Sequence, residues 1–221
     1  MTATTPVYKI ERQNLAEQVY SYIKRLILSG DLKGGENILE DKIAEQFGIS
    51  RTPVREAFQR LDEYGLIELK PRSYAVVITL ALHEAEHITR VRAQLETLSV
   101  ELLTECGTPE DFDVLKELAQ ECNNLLSESD IPNEFEADMH FHLEIAKRTG
   151  NRHLYDLLEK ISDKVQLLRL EFHLPLEFLK TCVGQHTAIV EMMRQGKKEA
   201  AISLMKKHTI NQLEYYTKEK T

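Results

Sequence analysis

The feature that most constrains this chain is where its helix-breaking residues fall. From Leu80 onward the sequence runs in long helical patterns. "HEAEHITRVRAQLETLSVELLTEC" continues without a breaker to Gly107, and segments of similar length follow as far as "KKEAAISLMKKHTINQLEYYTKE". Before Leu80 the segments are short and punctuated by glycine. A total of 9 Gly and 6 Pro in 221 residues is too few for the many tight turns of an all-β fold. The expected fold class is therefore mainly α and in two parts. The boundary falls at residues 78–82, which gives domains of 1–78 and 79–221.

Charge divides at the same place. Residues 1–79 hold 11 Lys/Arg and 11 Asp/Glu, so the formal net charge of −8 falls entirely on the rest of the chain. A neutral front part can present a local basic surface to a polyanion, whereas the acidic back part should repel one. Three widely spaced cysteines with no CxxC predict reduced, buried thiols rather than a disulfide framework. The N-terminal "MTATTPVYKIERQN" lacks the apolar core of a signal peptide, and no run reaches the roughly 20 apolar residues that span a bilayer. A cytoplasmic protein with no membrane partner is the expectation.

In the front part, "LAEQVYSYIKRLIL" places Leu15, Val19, Tyr22, Ile23, Leu26 and Ile27 at helical spacing. "LEDKIAEQFG" repeats the pattern and stops at Gly48. Ser50 then caps a helix with Pro53 in its first turn, an apolar face of Val54, Ala57, Phe58 and Leu61, and a stop at Gly65. "LIELK" and "YAVVIT" flank "PRS" as a β-hairpin. Helix, tight turn, helix and hairpin is the order of a winged helix-turn-helix, whose second paired helix enters the major groove. Arg51, Thr52 and Arg55 lie at the start of that helix, away from its apolar face. Arginine can grip guanine O6 and N7, or a phosphate, with two hydrogen bonds. The Ser50 and Thr52 hydroxyls and the free first-turn amides suit a phosphate. The plainer alternative is a solvated helix whose arginines pair with Glu56 and Asp62.

"EDKIAEQFGISRTPVREAFQRLDEYGLIELKP" resembles the N-terminal domain of GntR-type transcriptional regulators, over about residues 12–77, with "SRTPVREA" as its most specific part. The resemblance implies that Arg51, Thr52 and Arg55 contact double-stranded operator DNA. Two positions depart from the family pattern. Asp41 stands where the family often has an arginine, and Ser73 and Tyr74 stand where the wing usually has a glycine. Arg72 at the wing tip is expected to reach the minor groove.

In the back part, "DMHFH" puts Asp138 and His142 four residues apart on one helix face, with His140 turned elsewhere. His186 and His208 lie in the last two helices. One carboxylate and three imidazoles can hold a first-row divalent ion and leave positions open, although acid–histidine pairs at this spacing also arise by chance. "DMHFHLEIAKRTGN", "GQHTAIVEMMRQGKKEAA" and "MKKH" resemble the effector domain of the FadR subfamily, the FCD domain, over about residues 82–215. That likeness implies an antiparallel bundle of six or seven helices. It also implies that Asp138, His142, His186 and His208 are metal ligands, with zinc foremost and nickel, manganese or iron as alternatives. A long-chain acyl-CoA effector is disfavoured, since members that bind one lack this set. Arg92 matches a position that points into the same cavity and would attract a carboxylate, or else it pairs with Glu96 one turn on. Asn151 reads as a helix cap.

The expectation is a homodimeric transcriptional regulator, not an enzyme. Its affinity for a palindromic operator would be set by a small organic acid at the metal site, and release from DNA, as in a repressor, is the commoner family outcome. The competing readings are a sensor of the ion itself and a hydrolase with His140 or Glu144 as base.

Overall fold

A computed structural model describes residues 11–218 apart from Ser73, Ser129 and His173. The expectations for the N-terminal decapeptide and for Ser73 lie outside the described residues. The chain divides between Thr79 and Leu80 into two compact units.

The first unit comprises α1 (Glu11–Ser29), β1 (Asn37–Leu39), α2 (Glu40–Phe47), α3 (Arg51–Tyr64), β2 (Ile67–Lys70) and β3 (Tyr74–Val77). Its core is the apolar stripe of α1 against that of α3. Val19, Ile23 and Ile27 meet Val54, Ala57, Phe58 and Leu61, all fully buried. Each of these side chains other than Ala57 stabilises the unit by about 1.5–3 kcal/mol, which fixes the face that α3 turns inward. The turn between α2 and α3 follows from Gly48. At φ 63° its amide donates to the Glu45 carbonyl and that of Ile49 to the Ala44 carbonyl, closing the end of α2.

Instead of a lone hairpin, β3 lies between β2 and β1 in an antiparallel sheet of order β1-β3-β2. The sequence reading missed β1. It has three residues and pairs with a segment almost forty positions away, Asn37 opposite Val76, so no local periodicity reveals it.

The second unit is built from α4 (Leu82–Cys106), α5 (Pro109–Ser127), α6 (Ile131–Arg148), α7 (Arg152–Phe172), α8 (Leu176–Arg194) and α9 (Lys198–Lys218). Connections of two or three residues return each helix against its neighbours. Local chemistry sets their starts. Thr108 and Asp111 form a capping box ahead of α5, with Pro109 in its first turn, and the Leu154 amide donates to Asn151 Oδ1 (3.1 Å) ahead of α7. α4 packs against α9 and α7, and α5 packs against α6 and α8.

The three thiols are unlinked, and Cys122 and Cys182 are buried. Cys106 is exposed, contrary to the expectation of burial, because it is the last residue of α4 and projects beyond the packed stripe. Among the described residues no helix is long and apolar enough to cross a membrane.

Candidate functional site

The start of α3 is solvent-facing. Ser50, Arg51, Thr52 and Arg55 are all exposed, while Val54 and Phe58 point inward. Ser50 occupies the cap position with extended backbone (φ −71°, ψ 163°), but its side chain makes no capping hydrogen bond, so the expected cap is positional only. The arginines do not pair with Glu56 or Asp62. Arg51 forks onto Asp41, with Nε 2.6 Å from Oδ1 and Nη2 3.0 Å from Oδ2. Arg55 forks onto Glu40, with Nη2–Oε2 3.0 Å and Nε–Oε1 3.4 Å, and this contact holds the guanidinium above its usual pKa. Glu40 is buried and Arg55 is not. Asp62 accepts from the Leu69 amide at 2.9 Å, tying α3 to β2. Arg60 pairs with Glu17 (2.7 Å) and lies over the Tyr20 ring. Arg72 is exposed at the hairpin tip with φ 75°, the left-handed conformation that glycine adopts without cost.

In the second unit α6, α8 and α9 bring four side chains together. Asp138, His142, His186 and His208 are all buried, and each offers one donor atom within 4.8 Å of the others. His142 Nε2 and His208 Nε2 are 3.2 Å apart. Asp138 Oδ1 lies 3.3 Å from His186 Nε2 and 3.8 Å from His142 Nε2. A cation with donors at about 2.0–2.2 Å sets neighbouring donors roughly 3.0–3.5 Å apart, so the edges of 3.2 and 3.3 Å fit one ion, while the 3.8 Å edge would have to tighten around it. Neither ring nitrogen of His186 has a hydrogen-bond partner, and an ion at the cluster would satisfy one of the two. His140 is exposed and outside the cluster, and Glu144 is bound to Lys147 and Arg148.

The surrounding groups orient these ligands. Glu96 Oε1 accepts from Arg92 Nε (2.5 Å), while Oε2 accepts from Thr209 Oγ1 (3.0 Å). The same Oε2 stands 3.1 Å from His142 Nδ1, a close contact off the line of a good hydrogen bond. His208 Nδ1 meets Gln185 Oε1 at 3.1 Å. Carboxylate or amide behind imidazole is the arrangement that fixes tautomer and ring orientation at metal sites. Arg169 of α7 donates to Asp138 Oδ2. Arg92, also bonded to Gln212 Oε1 (3.1 Å), shares with Arg169, Ser162 and Gln166 the wall of a small cavity bordered by Asp138 and His142. Glu96 entered the sequence reading only as a possible partner of Arg92, and Arg169 and Gln185 did not enter it. The i,i+4 spacing of Arg92 and Glu96 was the one local signal; nothing in the spacing of α7 points to Arg169.

Electrostatics suits a cation. Burial drives His186 well below the ordinary imidazole range, and burial with the neighbouring His142 brings His208 down to about 3. Both are neutral near pH 7, the form that ligates. Burial alone would raise Asp138 and Glu96. Arg169 and the histidines hold the first well below its usual range, and Arg92 and His142 do so for the second. Glu134 goes the other way, pushed up to about 8 by burial and the Asp138 charge despite Arg169.

Comparison with known proteins points the same way for both units. The sequence model for bacterial regulatory proteins of the gntR family matches residues 15–77, and that for the FCD domain matches residues 87–211. The chain is 30% identical over 185 residues to the HTH-type transcriptional regulator YdhC of Bacillus subtilis, with 83% of each chain covered. It is 29% identical to McbR of Escherichia coli, with 69% of each covered. The solved structure of E. coli McbR/YncC superposes with a TM-score of 0.82 at 23% identity, covering 94% of this chain and 99% of that one. These relatives and families are transcriptional regulators, not enzymes.

Proposed function

From the premise that this chain belongs to the GntR family of DNA-binding transcriptional regulators and carries an FCD effector domain, we propose that its operator affinity is controlled by a small organic acid bound beside a metal ion in the helical unit. The observation that carries this reading is the convergence of Asp138, His142, His186 and His208 on one buried point that borders a cavity walled by Arg92 and Arg169. Asp138 and the three imidazoles would hold the ion, zinc foremost by its preference for nitrogen donors, with nickel, manganese or iron as alternatives. The ion would supply a Lewis-acidic seat for one ligand oxygen.

The chain's own residues do the rest. Glu96 and Gln185 keep the ligating nitrogens of His142 and His208 turned inward. Arg92 and Arg169, each engaged by one carboxylate, retain donors for an anion, and a guanidinium fork selects a carboxylate over a neutral ligand. In the DNA-binding unit, Arg51, Thr52 and Arg55 read the major groove, the Ser50 hydroxyl meets a phosphate and Arg72 reaches the minor groove. A homodimer would set two such helices on a two-fold symmetric operator. The acid changes operator affinity only as far as it binds two arrangements of the dimer unequally.

A thermal-shift screen of small mono-, di- and hydroxycarboxylic acids on zinc-loaded and chelated protein tests the effector reading. The expected result is stabilisation that requires the ion. No shift with any acid, or a shift that survives chelation, would refute it. If zinc alone changes DNA affinity and no acid does so, the ion itself is the signal.

A further inference from the structure

Asp41 is the unexpected residue at the DNA-reading surface. It is the second residue of α2, it stands next to the start of α3 and it carries the sign of charge that a polyanion repels. Its carboxylate and the Arg51 guanidinium are 60% and 61% exposed. An ion pair so open to water adds little to folding, because solvent screening and the entropy of ordering two side chains offset the attraction. Stability therefore does not account for it, and its geometry suggests what does.

Asp41 takes the side edge of the guanidinium. Its two oxygens engage Nε and Nη2 at 2.6 and 3.0 Å. That leaves the end edge, Nη1 with the outer hydrogen of Nη2, which has the two-donor spacing that guanine O6 and N7 accept. The fork also fixes the rotamer of a long side chain before DNA arrives, so less freedom is lost on binding. Each Asp41 oxygen keeps a further lone pair. In the major groove only cytosine N4 and adenine N6 offer a hydrogen to such an acceptor, whereas a phosphate or guanine O6 opposes it.

We propose that Asp41 is a specificity-determining residue. It holds Arg51 in register for a guanine and accepts a hydrogen bond from the exocyclic amine of a cytosine or adenine at the adjoining base pair. It also lowers affinity for DNA of any other sequence, through repulsion of phosphate and of bases that present only acceptors. The inference rests on the reading of α3 as the groove-reading helix, and the experiment separates the two.

Full-length wild type, Asp41→Ala and Arg51→Ala are each used to select from a library of random-sequence duplexes, and the enriched half-sites are compared. Because the pair is exposed, both variants should melt close to wild type. Wild type should enrich a guanine next to a base pair that presents an amine. Arg51→Ala should lose the guanine, with discrimination there falling about tenfold or more. Asp41→Ala should keep a weakened guanine preference, lose the preference at the neighbour and bind unselected DNA more tightly than wild type. An Asp41→Ala motif identical to wild type, with loss only in Arg51→Ala, overturns the role of Asp41 alone. An Arg51→Ala motif unchanged from wild type, or no enriched motif with wild type, overturns the reading of α3 as well.

Discussion

Both units pair an arginine with an aspartate, in opposite surroundings. Arg51 and Asp41 are 61% and 60% exposed, while Arg169 and Asp138 are 4% and 3% exposed. In water such a pair contributes about 0–1 kcal/mol, and either partner can turn to another ligand at little cost. In the interior both charges have lost their hydration, and removing one leaves the other stranded. The Arg51–Asp41 pair can therefore be altered without disturbing the fold, whereas the effector pocket is part of the fold of its unit. Substitutions should accordingly report on binding at the first place, and on stability and binding together at the second.

The largest effect tests the buried half. Arg169→Ala should destabilise the chelated protein by about 3–5 kcal/mol, since Asp138 would then be a buried, unpaired carboxylate. Zinc should restore part of that loss, because the ion compensates the same charge. Denaturant melts with and without chelator give both values, and a loss that zinc does not reduce would detach Asp138 from the ion. The metal-free cluster should also make stability depend on pH. His186 and His208 titrate far below their ordinary value of about 6.5 when folded. Their contribution is complete above pH 6.5 and is lost as pH falls, because only the unfolded chain takes up the protons. Glu134, at about 8 when folded, keeps a proton that the unfolded chain releases above about 4.3, so its contribution shrinks as pH rises. Near pH 5 two protons favour the unfolded chain and one the folded, whereas at pH 6.5 the unfolded imidazoles are half protonated and the two effects cancel. The slope therefore grows to about 1.4 kcal/mol per pH unit near pH 5, and about 1.4 kcal/mol is lost over that window in chelated protein. Stability that holds or rises on acidification would contradict neutral buried imidazoles.

The two regions also differ in how far the sequence reveals them. The inward face of α3 follows from Val54, Ala57, Phe58 and Leu61, because helical periodicity is local and needs no knowledge of a partner. The Asp138–His142 spacing is local in the same way. Their meeting with His186 and His208 joins three helices, so it was implied by the family likeness and not by spacing. The partners of the arginines at the DNA-reading tip are not those that the plainer alternative offered. Local spacing offers Glu56 and Asp62, whereas the start of α2 presents Glu40 and Asp41, which lie 15 and 10 residues back. Arg169 lies 31 residues from Asp138, Glu96 lies 46 from His142, and β1 needs a distant strand. Each depends on tertiary packing, which outranks local pattern.

At the exposed half, Arg55→Lys sharpens the contrast. Lysine keeps a cation beside the buried Glu40, so the unit should unfold at nearly the wild-type denaturant concentration. It cannot form the two-pronged contact with a base, and operator affinity should fall by about 1–3 kcal/mol. The salt dependence should hardly change, since the charge is retained. A parallel loss of stability would mean that the Arg55 fork serves the fold and not the groove.

The smallest effect lies at the wing. Arg72 holds φ 75° in the loop between β2 and β3, a conformation that costs a residue with a Cβ about 1–2 kcal/mol. Arg72→Gly would remove that strain but would add the conformational entropy of glycine in the unfolded chain, about 0.5–1 kcal/mol. The expected gain in stability is therefore about 1 kcal/mol or less. If the side chain meets the DNA backbone in the minor groove, the variant also loses one released counterion. The slope of log affinity against log salt should then flatten by about 0.9. A protein that gains stability and keeps its salt slope would carry the strain for some reason other than DNA. A protein that gains stability while its slope flattens gives up folding energy to hold one cation at the tip of the hairpin.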